Sequence, residues 1–300
     1  MNRRKASRRH TWRGWLMDLG WRHAIGLLGI AFALFPILFV LQAALNPVGT
    51  LGNATAGGSW RALLPLHVSL HNVHALLRNP NYPFVDWVLN SLVICGLSTV
   101  LSLFFSVCAA FAFSRLRFKG RRYGLMAIIL IQMFPVFIAV TALYLFVVSI
   151  GNVLPPLAPG RASLVLVYLG GSLGVGTWLM KGYIDTIPAE LDEAATIDGA
   201  SHTQIFFGII LRLSAPILVV MGIISFIGSL NEFIIASLFL RSGTSQTLII
   251  GLYGLIEGQQ NQDYGQFAVG ALITALPVLI LFLSFQRWLV GGLVRGAVKS

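Results

Sequence analysis

Carboxylates are scarce in this chain. There are ten in 300 residues, and five of them, Asp185, Glu190, Asp192, Glu193 and Asp198, fall within fourteen positions. Their spacing reads as the start of a helix. Thr186 or Asp185 can cap that start, and Pro188 fits a first turn. Glu190, Asp192 and Glu193 then lie near the positive end of the helix dipole. Leu191, Ala194 and Ala195 share one face at i, i+3, i+4 spacing. Gly199 suits the left-handed position that ends a helix. Ser201 and Gln204 form a capping box that opens the next one. The stretch 186–216 is thus a short amphipathic helix that turns sharply into a longer apolar one. A carboxylate on such a helix, Glu193 above all, can make a charge-assisted bond to an Arg or Lys of a partner.

Other polar groups stand inside apolar stretches. Gln132 and Pro135 place an amide and a freed backbone carbonyl at membrane depth, where polar groups face protein or a water-filled cavity. Tyr144, Asn231 and Glu232 extend this set of candidates for a solute path. The alternative for each is a bond to a neighbouring helix. His67, His71 and His74 have helical spacing, but no Cys or carboxylate joins them, so no metal site is expected. Cys95 and Cys108 share one predicted helix at a rise of about 1.5 Å per residue, too far apart to bridge.

The elements that position these groups follow from composition. The chain is 56% hydrophobic and 10% charged, which describes a protein whose solvent is lipid. A span needs roughly 20 apolar residues, and six stretches qualify: 24–45, 88–113, 123–148, 162–180, 208–240 and 266–289. The fifth is long for one span. Seventeen of the 21 basic residues fall before the first span, between the second and third, around 186–216, or after the sixth. Only Arg61, Arg78, Arg161 and Arg241 fall on the other side. This is the positive-inside pattern of six spans with both termini cytoplasmic. It explains the net charge of +11 by topology and anionic lipid rather than by nucleic acid. The chain divides into a basic segment (1–23), a first span with an external segment (24–87), a five-span core (88–289) and a cytoplasmic tail (290–300). The basic segment is either an amphipathic anchor on the inner membrane face or a tail that fixes orientation. Small residues at Ser91, Ser98, Ser102 and Ser106, and at Gly170, Gly171, Gly174 and Gly176, let helices approach closely.

No phosphate-binding G-x-x-x-x-G-K-[ST] loop occurs, nor a zinc or Ser-His-Asp pattern, so no catalysis by this chain is expected. Glu193-Ala194-Ala195, then three residues, then Gly199, resembles the EAA loop of ABC importer permeases. Phe113-Ser114-Arg115-Leu116-Arg117-Phe118, Gln132-Met133-Phe134-Pro135, Tyr168-Leu169-Gly170-Gly171, Lys181-Gly182-Tyr183 and Gln286-Arg287-Trp288-Leu289-Val290 are similar to pieces of its maltose-type (MalG-type) members. The resemblance implies an all-α integral membrane protein of the type I ABC importer permease fold, in the cell inner membrane. It implies that Glu190, Glu193, Ala194, Ala195, Asp198 and Gly199 form a coupling helix docked on a dimer of ATPase subunits. Those subunits, not this chain, would bind ATP and Mg. It further implies a second, MalF-like permease subunit and an extracytoplasmic sugar-binding protein that meets Tyr253, Gln259, Gln260, Asn261 and Asp263. The implied cargo is maltose or maltodextrin, with trehalose and other oligosaccharides as alternatives. A secondary transporter and a membrane scaffold are the other classes. One departure stands out: Arg212 occupies the place of the family's usual proline while Pro216 is kept, so the elbow there is expected to be built differently.

Overall fold

The computed structural model describes residues 20–46, 68–257 and 263–297. Most of the basic segment, His67 and the loop residues Gln259, Gln260 and Asn261 lie outside them. The described residues form helices and turns. Helix α1 spans Trp21–Leu45 and is followed by a short α2, His71–Arg78. Then come α3 (Phe84–Arg115), α4 (Arg121–Gln132), α5 (Val136–Val153) and α6 (Arg161–Ile184). The acidic helix is α7, Glu190–Ile197. Beyond it lies α8 (His202–Leu213), which contains a π turn at Phe206–Ile210, and then α9, Ala215–Leu230. The chain ends with α10 (Ile234–Phe239), α11 (Leu248–Glu257) and α12 (Tyr264–Ala297).

Among the described residues, α1, α3, α6 and the Tyr264–Arg287 part of α12 are long and apolar enough to cross a membrane. The α8–α9 pair makes a fifth crossing if its two bent halves are counted as one. The stretch 123–148, expected as one span, is two helices. Pro135 has no N–H to donate and disfavours helical backbone at Phe134, so the helix stops there. The last turn of α4 tightens instead, with Met133 N donating to Leu130 O (3.1 Å) and Phe134 N to Ile131 O (3.2 Å). The stretch 208–240 also divides. Its parts are the end of α8, the apolar α9 and the separate six-residue α10.

The frame is a parallel pair, α3 and α6. Ser102 Oγ and Ser172 Oγ meet at 2.5 Å. One turn on, a Cβ at Gly176 would sit 2.5 Å from Ser106 Oγ. Small residues therefore set this distance, but among the four glycines singled out only Gly176 faces α3: Gly170 and Gly171 have nothing within 4 Å, and Gly174 faces Gln132. At one end of the pair the loop before α11 is pinned by side chains. Trp87 Nε1 donates to Gly243 O at 2.8 Å, and Asn90 Nδ2 donates to Thr244 O and Gln246 O, both at 2.9 Å. Arg161 adds a bond to Thr244 O at 3.1 Å. Leu248 N donates to Ser91 Oγ at 2.7 Å. At the same end, Asn72 Nδ2 donates to Ala44 O (3.0 Å) and Asn46 O (2.8 Å), satisfying carbonyls left over where α1 ends.

Apolar clusters gather at both ends of the pair. Phe84, Trp87, Leu248, Leu252 and Leu255 belong to one. Val107, Phe111, Met180, Ile184, Ile205 and Phe206 belong to another. In the first cluster α11 lies so close to α3 that a Cβ at Gly251 would fall 2.2 Å from the buried Trp87 ring, while Gly254 has nothing within 4 Å. Gly251→Ala is therefore expected to cost about 1–3 kcal/mol by overpacking. Gly254→Ala should be neutral or stabilise by up to about 1 kcal/mol through helix propensity. Unfolding midpoints of the two variants in mild detergent check this.

Candidate functional site

The acidic helix α7 is entered through a turn that closes α6. Neither expected cap is made, because both side chains are engaged elsewhere. Asp185 accepts from the Ser114 hydroxyl and the Lys181 ammonium, each at 2.5 Å. The Thr186 hydroxyl donates to Tyr183 O at 2.7 Å. Ala189 stands at the helix start without a side-chain cap. Downstream, the local reading holds. Gly199 is left-handed, with φ +84°. Ser201 N donates to Gln204 Oε1 at 2.7 Å and Gln204 N to Ser201 Oγ at 3.3 Å, the two bonds of a capping box. Between them, Ala200 N donates to Ala195 O at 2.9 Å, so the chain reverses within one turn of α7's end.

One face of α7 is tied to the protein. Asp192 Oδ2 lies 2.6 Å from Arg115 Nε, with the two side chains only 16% and 15% exposed. The N–H does not point along this contact, so it is an ion pair more than a directed hydrogen bond. Arg115 Nη2 also donates to Ile187 O at 2.7 Å. Ile187 is buried in the cluster of α3, α6 and α8, and Ala195 packs against that cluster. The other face is open. Glu190, Glu193, Ala194 and Asp198 are exposed, and so are Leu191 at 43% and Ile197 at 86%. Among the described residues neither Glu190 nor Glu193 has an ion-pair partner. The apolar face expected from Leu191, Ala194 and Ala195 is thus covered only at Ala195.

Beyond α7 the path bends by 73° between α8 and α9. No proline is used at Arg212, which is exposed. The bend follows the π turn and falls at the buried Ser214, with Pro216 in the first turn of α9, where its missing N–H is not needed.

Two of the polar candidates inside the apolar stretches converge on α6. Gln132 Nε2 donates to Gly171 O at 3.3 Å, and its amide fills the space that a Cβ on Gly174 would take. Glu232 Oε2 accepts from the Tyr168 hydroxyl at 2.8 Å and from Ala236 N at 2.9 Å, while Oε1 accepts from Ile235 N at 2.8 Å. Tyr168 and Gly171 lie within one turn of each other. Glu232 thereby caps α10 and binds it to α6. The other three candidates stand apart. Pro135 precedes α5, Tyr144 packs edge-on to Phe239 beneath the Arg241 guanidinium, and Asn231 donates to Ile227 O of its own helix at 2.9 Å. A largely apolar hollow of about 850 Å³ opens between α4, α5 and α6, with Gln132, Phe146, Leu166, Gly170 and Gly171 in its wall. At the Trp87 end, Tyr253 packs against Phe233 as a tilted ring pair with centroids 4.7 Å apart and borders a hollow of about 440 Å³ with Gln246 and Glu257. Asp263 N donates to Leu255 O at 3.1 Å. Among the described residues no group of three or more His, Cys, Asp or Glu could hold a metal.

The roles of Arg115, Ser114 and Asp192 are not readable from local sequence, since each depends on a partner more than 70 positions away. Burial pushes the Asp185 carboxyl up, but the bonds from Lys181 and Ser114 outweigh it and hold the pKa below its ordinary 3.8. A lowered carboxyl contributes stability above its unfolded-state pKa and loses it as pH falls through the folded one. The stability gap between the wild type and Asp185→Asn should stay constant from pH 7 to about pH 5 and close as pH drops below 3.8. Thermal unfolding across that pH range measures it. Glu232→Ala strands two amides and a hydroxyl at an expected cost of about 1–3 kcal/mol, and Glu232→Gln should fall between it and the wild type. Unfolding midpoints in detergent order the three.

A family model described as "Binding-protein-dependent transport system inner membrane component" matches residues 102–294. The galactooligosaccharides transport system permease protein GanQ of Bacillus subtilis (strain 168) is 38% identical over 267 residues, 89% of this chain and 90% of GanQ. The maltose/maltodextrin transport system permease protein MalG of Escherichia coli (strain K12) is 37% identical over 286 residues, 93% of this chain and 95% of MalG. A chain of a bacterial ABC transporter involved in the import of the acidic polysaccharide alginate shares the fold. Its TM-score is 0.72 at 24% identity, covering 95% of this chain and 99% of that one. An all-helical frame with the α7 turn at its end, matched to a family model over most of its core and to these permeases over most of its length, places the chain in the family of binding-protein-dependent transport system inner membrane components.

Proposed function

We propose that this chain is one of two membrane subunits of an ATP-driven oligosaccharide importer. The observation that carries the reading is the division of α7 into a face bound to its own protein and a face left open, with Glu190 and Glu193 on the open side. A helix built this way is held firmly and still offers charge to a partner. The partner is a dimer of ATPase subunits that holds ATP and Mg, with α7 in its groove and Glu193 paired to a basic side chain there. The basic residues around Arg115 and Lys181 put this end in the cytoplasm. The Trp87 end then faces the extracytoplasmic binding protein, with Tyr253 and Asp263 near the contact. The hollow beside Gln132 is one wall of a pathway that the second permease subunit completes. Two relatives at nearly equal identity are named for maltose/maltodextrin and for galactooligosaccharides, which supports short oligosaccharides as the cargo. Maltodextrins are the first candidate, with galactooligosaccharides next.

Purification of the chain in mild detergent through an N-terminal tag tests this. A P-loop ATPase and a second, different permease are expected with it. Recovery of the chain alone, under conditions that keep such complexes intact, overturns the reading in favour of a secondary carrier. Binding-protein titrations with maltotriose and with a galactotriose decide the sugar. Glu193→Ala removes one charge-assisted bond worth about 1.5–3 kcal/mol. ATPase recovery should fall about tenfold or more, while the unfolding midpoint of the permease stays at the wild-type value, because the side chain is exposed.

A further inference from the structure

We propose that Arg115 is a positioning residue that fastens the acidic helix α7 to the end of α3, so that any displacement of α7 reaches α3 and α6 together. This rests on the reading of α7 as the ATPase-docking helix and adds a second line of transmission to it. By covalent connection alone, α7 would pull on α6, which it follows after a short turn, and on α8, which it precedes. Among the described residues α3 meets α7 and the turn before it through the side chain of Arg115. Arg115 is the last residue of α3. Its guanidinium reaches both sides of the α6–α7 turn, donating to Ile187 O at 2.7 Å and pairing with Asp192 at 2.6 Å in the first turn of α7.

The chemistry of the group suits this task. A guanidinium is planar and always charged, and it presents several donors in a fixed fork. One side chain can therefore engage a carbonyl before Pro188 and a carboxylate after it without changing rotamer. A lysine, with a single point charge, would hold one and release the other. The pair is also shielded, at 15% and 16% exposure, so salt screens it less than a surface pair. Removing one partner leaves the other poorly compensated. Next to it, Ser114 donates to Asp185, which also takes Lys181. The end of α3 is thus bonded to the end of α6, to the turn and to α7 through consecutive residues. These contacts assign Asp192 an inward role and separate it from Glu190 and Glu193, the two first-turn carboxylates that remain open.

Pulsed electron spin resonance on the purified complex tests the proposal. Labels at Asp86→Cys, exposed at the far end of α3, and Ala189→Cys, exposed at the start of α7, report the distance between the two helices. Cys95 and Cys108 are replaced by Ala in every sample. With Arg115 present, the distance distribution should be narrow and unchanged between the nucleotide-free state and the vanadate-trapped ATP state. Arg115→Ala should broaden it in both states. Arg115→Asp combined with Asp192→Arg restores the ion pair but not the donor to Ile187 O, so it should narrow the distribution part of the way, a rescue that a mere loss of fold at position 115 would not produce. Arg115→Lys, which keeps the charge and the fold, should be intermediate. ATPase recovery should stay at the wild-type level in Arg115→Lys, because the open face of α7 is untouched. Equal widths in the wild type, Arg115→Lys and Arg115→Ala would overturn the proposal, as would a wild-type distance that shifts with nucleotide. If no ATPase accompanies the wild type, the docking reading fails, yet the widths measured without nucleotide still decide whether Arg115 fastens α7.

Discussion

Close approach of α3 and α6 is the constraint on which the other elements depend. Between helices in lipid there is little hydrophobic drive, because the tails are as apolar as the side chains, so packing and interhelical bonds must hold them. Here small groups permit that packing. Ser102 meets Ser172, Ser106 fills the space over Gly176, and Ser114 reaches Asp185. The offsets of the two hydroxyl bonds, 70 and 71, keep the helices in one parallel register from middle to end. Three of the polar groups singled out above then attach further elements to this pair. Gln132 brings the end of α4 onto α6, Glu232 brings α10 onto α6, and Arg115 brings α7 onto α3.

The two ends of the pair solve different problems. Irregular backbone at or near membrane depth must have its polar groups satisfied. At the Trp87 end the loop from 241 to 247 turns its carbonyls inward, and Trp87, Asn90 and Arg161 donate to them. Two of these donors are neutral side chains, and the result is a lid bonded directly to the helix starts. At the Arg115 end the links are ionic and surround a turn. One of them, from Arg115 to Ile187 O, holds the backbone of the turn itself. The same asymmetry appears in shape. The Trp87 end includes a glycine with no room for a methyl group, whereas the Arg115 end leads through a π turn to a bend of 73°.

How much of this could be read in the residues depended on range. The end of α7 was legible because its signals are local. Gly199 must be left-handed there, and Ser201 and Gln204 need only each other. Its beginning was not. Asp185 and Thr186 have the chemistry of caps, but partners on α3 and within α6 take them first. Leu191 and Ala194 have the spacing of a buried face, and among the described residues both are exposed. Pro135 was visible as a disturbance inside an apolar run. That it ends α4 outright follows from the missing N–H together with the tightened bonds at Met133 and Phe134. Glu232 stood out as a lone charge near a span. Its partners, a tyrosine 64 positions away and two amides of a six-residue helix, could not be read from spacing.

The carboxylates of α7 show why a short helix needs an internal cation to serve an external one. Three acidic side chains in a first turn gain from the dipole but repel one another, and an eight-residue helix has little stability of its own. Pairing Asp192 with Arg115 relieves part of that repulsion and anchors the turn. What remains is a pair of open carboxylates on a helix whose position is set by α3, α6 and their shared apolar cluster. The charge that can meet a partner and the charge that fixes the helix thus sit on different faces, one residue apart in sequence at Asp192 and Glu193. On the proposed reading of α7, a change on one face would alter docking and a change on the other transmission, a separation that a single row of equivalent acidic residues would not provide.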